Sequence, residues 1–249
     1  MEVHPPHGSL HSWKDFWIHL GTISIGLLIA ISLEQSVEWV HRMHERHVLQ
    51  EDLRQEALGN RELVETDLKA EALTLRWIND LTQDIAAIRA SHSKLKLPGR
   101  PDYLMNGTEY KYLYLNPTDA VWTTARDGGT LALLPRGDAQ VYARLYRLLN
   151  LVHDQWWVDS QDVEGVYAFS RKFGSQARNG PNLGGMNDAE LARFQDLLDS
   201  WYVSESRVTD LLRYFSGTNE AILGGARTEA EVQKAMYAAS ARGRDRGRR

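Results

Sequence analysis

The chain contains no cysteine, which excludes disulfides and thiolate metal sites and is compatible with either side of a bacterial membrane. Proline is scarce, at 7 of 249 residues, and none interrupts the helical pattern that follows the N-terminal apolar segment. No surplus of positive charge exists either: the formal net charge is -4. That value includes a basic end, where Arg242, Arg244, Arg246, Arg248 and Arg249 stand against Asp245 alone, so the body is more acidic than the total. An acidic body repels phosphate, and nucleic acid is not expected as a partner. The last absence is local. Residues 16–33 hold no Asp, Glu, Lys or Arg.

That uncharged stretch is rich in Phe, Ile and Leu, each worth roughly 0.3–0.6 kcal/mol at the centre of a membrane helix. As a helix it covers about 27 Å, close to the hydrocarbon thickness of a bilayer. Trp13 and Trp17 stand at one edge and Trp39 at the other, the placement of interfacial aromatic belts. Residues 13–37 therefore read as one transmembrane helix, with the lipid bilayer as the first partner. Mean hydropathy over the whole chain is still -0.44, so the remainder is a polar, water-soluble domain of ordinary size. Two rivals stand beside this reading. A cleaved signal peptide would use Lys14 as its charged region and Ala30-Ile31-Ser32 as its small-residue site, but the apolar run is longer than the usual one. A buried soluble helix is disfavoured by hydrophobicity all round.

A short leader (1–12) with His4, His7 and His11 precedes the anchor, and a soluble domain with a juxtamembrane stalk occupies 38–240 before an Arg-rich tail at 241–249. Leu49, Leu53, Leu63, Leu68, Leu75, Ile78, Leu81, Ile85 and Ile88 recur mostly every three or four residues, predicting a stalk helix to about position 90 with Gly59-Asn60 as a candidate kink. Leu97-Pro98-Gly99-Arg100-Pro101 ends it. Tyr110, Tyr112 and Tyr114 alternate in an extended segment. Asn116-Pro117-Thr118-Asp119 starts a short helix that stops at Gly128-Gly129. Pro135 opens a longer helix, running to about position 173. After the glycine-rich loop at 179–185, Asn187-Asp188 caps another, and Thr228 with Glu231 forms a capping box for a final short one. The expected class is all-α, as an up-and-down helical bundle.

Candidate sites are few. Thr22, Gly26 and Ala30 share one helix face, the small-residue spacing that lets two membrane helices approach; a homodimer or another membrane protein would be the partner. Glu38, His41, His44 and His47, with Glu45, form a juxtamembrane patch suited to a pH response. His44 and His47 lie three apart, not four, so they fall short of the zinc motif and no metal is assigned. Trp122 reads as core packing, or as the roof of a pocket with Tyr112 and Trp156. In Trp156-Trp157 and Trp201-Tyr202, neighbouring rings cannot both face one core, so one of each pair belongs to a surface or a contact. No catalytic residue and no cofactor is assigned, because no nucleophile–base or paired-carboxylate spacing can be picked out.

Two patches carry a resemblance. One is Trp13-Lys-Asp-Phe-Trp-Ile-His-Leu-Gly-Thr-Ile-Ser-Ile-Gly-Leu-Leu-Ile-Ala-Ile-Ser-Leu-Glu-Gln-Ser-Val-Glu-Trp39, and the other is Ala120-Val-Trp-Thr-Thr-Ala-Arg-Asp-Gly-Gly-Thr-Leu-Ala-Leu-Leu-Pro135. Together they resemble uncharacterised bacterial single-pass membrane proteins with an Ile-Gly-x-Leu-Ile-Ala-type anchor and a helical soluble domain. The resemblance implies an inner-membrane anchor with the C-terminal domain in the periplasm. It is weighed above the sparse flanking charges (Lys14 before the span, Arg42 and Arg46 after it), which alone lean the other way. It implies no activity and no site residues. The function expected is a membrane-anchored helical interaction or scaffold protein, with a sensor of pH or a small ligand, and a membrane-anchored hydrolase, as alternatives.

Overall fold

The computed structural model describes residues 13–91, 117–174 and 181–246. Among these the structure is all-α, without a strand. Five helices follow in order: α1, Trp13–Ser91; α2, Ala120–Asp127; α3, Arg136–Ser170; α4, Asp188–Leu223; and α5, Glu229–Arg246. Short 3-10 turns cover Thr130–Leu133, Arg171–Phe173 and Leu183–Gly185. The leader, the breaker at 98–101, the three alternating tyrosines, positions 179 and 180 of the glycine-rich loop, and Arg248 and Arg249 lie outside the described residues.

The chain divides into two compact units, Met1–Gln50 and Glu51–Arg249. In the first, α1 presents apolar side chains in every direction. Leu27, Leu28 and Ile29 point roughly 100° apart, and all three are exposed by 60% or more. The hydroxyls of Thr22, Ser32 and Ser36 donate to the carbonyl one turn back, at 2.9, 2.7 and 2.7 Å, the local back-bonding open to a hydroxyl on a helix.

In the second unit α1 becomes one-sided. Leu53, Ala57, Val64, Ile78, Leu81 and Ile85 are buried, and the helix is unbroken at Gly59. Leu63, Leu68 and Leu75 are only half-buried; the true stripe continues through Asn60, Asp67 and Glu71, all buried. Two hydrogen bonds fix α1 antiparallel to α4: Asn219 Nδ2 to the Ala57 carbonyl at 2.7 Å and Gln195 Nε2 to Thr82 Oγ1 at 3.5 Å. Two more fix α3 antiparallel to α4: Ser204 Oγ to Asp159 Oδ1 and Ser200 Oγ to Asp162 Oδ1, both 2.8 Å. Hence α1 and α3 run in the same direction, and α5 returns along α4. One end of the core joins Trp77, Ile78, Leu81 and Ile85 to Val163, Val166, Leu191, Phe194, Leu198 and Trp201.

Helix ends follow the sequence signals. Asn187 and Glu190 form the complete capping box of α4. Glu231 accepts from the Arg227 and Thr228 amides at 3.0 and 3.1 Å before α5, and these bonds to its charged form hold its carboxyl below the ordinary glutamate pKa. Gly128 closes α2, and Gly129 takes a φ of 74°. The final helix is longer than expected, running through the first residues of the Arg-rich end to Arg246.

Helices α4 and α5 meet at Gly217, where a Cβ would stand 2.7 Å from Ala239 Cβ and 3.0 Å from the Ala235 carbonyl oxygen. A Gly217→Val substitution is expected to cost about 1–3 kcal/mol by overpacking, measured as a lowered urea midpoint. An unchanged midpoint would mean that this contact is not tight.

Candidate functional site: a buried polar clasp and an exposed aromatic face

The most completely defined polar cluster joins α1, α2, α3 and α4. Glu56 is buried, and its carboxylate accepts the Tyr146 phenol proton and, at 2.9 Å, the Val121 amide. That amide is among the first of α2, whose N–H groups lack intrahelical partners. Asp119, at the capping position, makes no side-chain cap, so a carboxylate from another helix does the capping and also meets the positive end of the helix dipole. One turn on, Asn60 holds Thr118 at both ends: its amide donates to the Thr118 carbonyl and its oxygen accepts from the Thr118 amide, each at 2.8 Å. Asn219 closes the clasp from α4 through the Ala57 carbonyl.

Trp122 stacks on Tyr146 at 5.2 Å, and Tyr142 also stacks on Tyr146, at 6.4 Å. Burial is the first cause pushing the Tyr146 phenol far above the ordinary tyrosine value, followed by the hydrogen bond to Glu56 and then its charge. Tyr142 is also raised by burial, against the opposing Arg227 guanidinium. The cluster has an acid and a carboxylate in contact, but both are committed to holding four helices together.

A second polar band lies further along the bundle. Asp67, Glu71, Asp159 and Glu205 are all buried, and none of them is without a partner. The α1–α4 register sets Glu205 opposite position 71, and the Ser204–Asp159 bond adds Asp159 at that level. Among the described residues, no group of three or more His, Asp or Glu is placed to hold a metal ion.

The expected site residues fall in separate places. Thr22, Gly26 and Ala30 are exposed on α1, and a Cβ on Gly26 would meet nothing within 4 Å. Of the juxtamembrane patch, Glu38 pairs with Arg42 and His41 with Glu45, the latter at 3.0 Å; His44 and His47 are exposed. Trp122 belongs to the clasp. Trp156 stacks on His153 at 5.8 Å, ten residues and about 15 Å along α3 from Tyr146, so the two indoles sit in different clusters. Tyr112 lies outside the described residues. Leu134, after the turn that follows α2, is buried, Leu131 is half-buried and so is Leu133.

The doubled aromatics separate as helical geometry requires. Trp201 is buried against Trp77, ring centroids 5.7 Å apart, and Tyr202 is exposed; Trp156 is half-buried and Trp157 exposed. Sequence reasoning missed Glu56, Asn60 and Asn219. Their only signal was position: Asn60 falls in step with Leu53, Ala57 and Val64 on the apolar stripe. Comparison of the chain with protein-family models, with curated proteins and with solved structures finds no match.

Two outcomes test the clasp. Asn60→Ala removes both part-buried hydrogen bonds to the Thr118 backbone and is expected to cost about 1–2 kcal/mol in urea unfolding. For Tyr146 the native state suppresses ionisation while the unfolded chain ionises near its ordinary value of 10.0. Its contribution is therefore complete below about pH 10 and declines as pH rises beyond it. Tyr146→Phe should flatten the alkaline loss of stability, with Tyr142 leaving a residual slope. An unaltered alkaline profile would show that the phenol is not held neutral.

Proposed function

We propose that the chain is a single-pass membrane-anchored helical interaction protein, tethered in a bacterial inner membrane with its bundle on the periplasmic side. The observation that carries this reading is the first part of α1. Its most apolar window has a mean hydropathy of 2.0 and is 0% buried. An uncharged helix greasy on every side is unstable in water and stable in hydrocarbon. The back-bonded hydroxyls of Thr22, Ser32 and Ser36 fit that medium. So does the cluster of Trp13, Phe16 and Trp17, with ring centroids 5.4 to 5.8 Å apart at one end of the window, where an interfacial anchor belongs.

Interaction is favoured over catalysis by how the polar groups are used. Glu56, Asn60 and Asn219 are consumed in joining helices, while Trp157 and Tyr202 are left facing outward. Large exposed rings on a rigid scaffold are the usual material of contact surfaces. The row of Thr22, Gly26 and Ala30 adds a face on which another membrane helix can come close.

Full-length protein is expected to stay in the membrane pellet after alkaline carbonate, and intact mass should retain residues 13–37. Release into the supernatant, or a mature chain starting near Leu33, would overturn the anchor. Because the chain has no cysteine, the exposed Ala87 offers a clean reporter of sidedness. Ala87→Cys should react with a membrane-impermeant maleimide in intact spheroplasts. Labelling only after lysis would put the bundle in the cytoplasm.

A further inference from the structure

Positions 156–163 and 201–208 repeat one another: Trp156-Trp157-Val158 followed by Val163, and Trp201-Tyr202-Val203 followed by Val208. The fold places the two copies back to back. Asp159 and Ser204 are equivalent positions of the repeat, and they are hydrogen-bonded to each other at 2.8 Å. The α3–α4 hairpin therefore has a local two-fold axis through that contact.

The repeat fixes what the hairpin shows to solvent. Val158 lies one turn before Asp162, and Val203 one turn after Ser200, so both flank the Ser200–Asp162 bond on the same side of the pair. Leu151, two turns before Val158, extends the row, and Trp157 and Tyr202 frame its edges. All five are exposed, by 44% (Leu151), 70% (Trp157), 46% (Val158), 40% (Tyr202) and 47% (Val203). Further along, this side is covered by α5: Tyr237 meets Tyr214 at 6.4 Å, and Arg144, two turns before Leu151, reaches Glu229 at 3.0 Å. Among the described residues, Val158 and Val203 stay exposed beyond these contacts.

We propose that a second copy of the chain closes this face. The exposed parts of the five side chains sum to on the order of 500 Å², at the upper end of what a monomer leaves bare. That supplies the core of the roughly 800 Å² each partner contributes to a stable interface. The flanking charges suit a copy of the same face. Asp154 on α3 and Arg207 on α4 are both exposed, and neither has an ion-pair partner among the described residues. The α3–α4 register puts Arg207 beside position 156, about 3 Å along the axis from Asp154. A two-fold axis parallel to the helices lays α3 of each copy over α4 of the other. It sets each Asp154 near the other copy's Arg207, twice, as an isologous contact requires.

This inference goes beyond the membrane reading and needs only the bundle. Its test is the protein mass of full-length chain in detergent micelles, by light scattering across dilution. Wild type is expected to be a dimer, and the Val158→Arg, Val203→Arg double variant a monomer of unchanged helicity. Asp154→Arg and Arg207→Asp should each raise the dissociation constant roughly tenfold, and combining them should restore it. Gly26→Ile should leave the dimer intact. A monomeric wild type overturns the proposal. So does a dimer dissolved by Gly26→Ile, which would be held by the membrane helix, or a charge exchange that fails to restore association. Retention in carbonate-washed membranes is independent of all these outcomes.

Discussion

Helix α1 carries two different kinds of surface on one unbroken backbone. Over residues 16–33 its side chains are apolar in every direction, so no rotation of the helix can hide them from water by packing one face. Past Glu51 the same helix carries a single buried stripe and a charged back. The change in periodicity, from none to three-and-four spacing, divides an all-round apolar rod from an amphipathic helix. Helices α2, α3 and α4 are all held on that second surface. Residues Trp77, Ile78, Leu81 and Ile85 close one end of the core against α3 and α4, and Glu56, Asn60 and Ala57 bind α2, α3 and α4 at the other.

Polar groups on a buried stripe are costly unless satisfied, and the clasp shows how the cost is met. A carboxylate buried alone would lose several kcal/mol of hydration, yet Glu56 caps the start of α2 and accepts the Tyr146 proton in one place. Hydrogen bonds of fixed length and direction add to the register that the packed core sets. The two bonds from Asn60 to the Thr118 backbone have the same effect, pinning a segment that has no regular structure of its own.

Much of the fold could be read from residue spacing, because caps and stops are local chemistry. Asn187 with Glu190, Thr228 with Glu231, Pro135 and the Gly128-Gly129 pair each sit where the sequence predicts an end. The α1 stripe could not be read correctly. Leucines at 63, 68 and 75 suggested it, but they are half-buried, and the buried row passes through Asn60, Asp67 and Glu71. Hydrophobicity counts assign such residues to the outside, and only partners distant in sequence bring them in. The clasp was hidden for the same reason: Glu56 and Tyr146 are ninety positions apart, and nothing near either one announces the other.

The doubled aromatics mark the boundary between these two kinds of legibility. Adjacent residues on a helix diverge by roughly 100°, so Trp201-Tyr202 must send one ring in and one out whatever the neighbouring helices do. Which ring goes in is decided by Trp77, a partner on another helix. The outward rings then belong to no intramolecular need. Removing Tyr202 or Trp157 would leave no cavity in the core and break no described side-chain hydrogen bond. A folded chain gains nothing from exposing an indole at 70%, since each such ring in water forfeits the burial that makes aromatics useful. Two such rings, set by one repeat on either side of a local two-fold axis, are the material of the contact proposed above. Under the proposed anchoring, lipid would cover the apolar rod of α1 but not this face, because the hairpin has exposed charges such as Asp154 and Arg207 beside its valines. A polar-rimmed apolar core is the composition of a protein contact, whereas lipid would leave those charges without a partner.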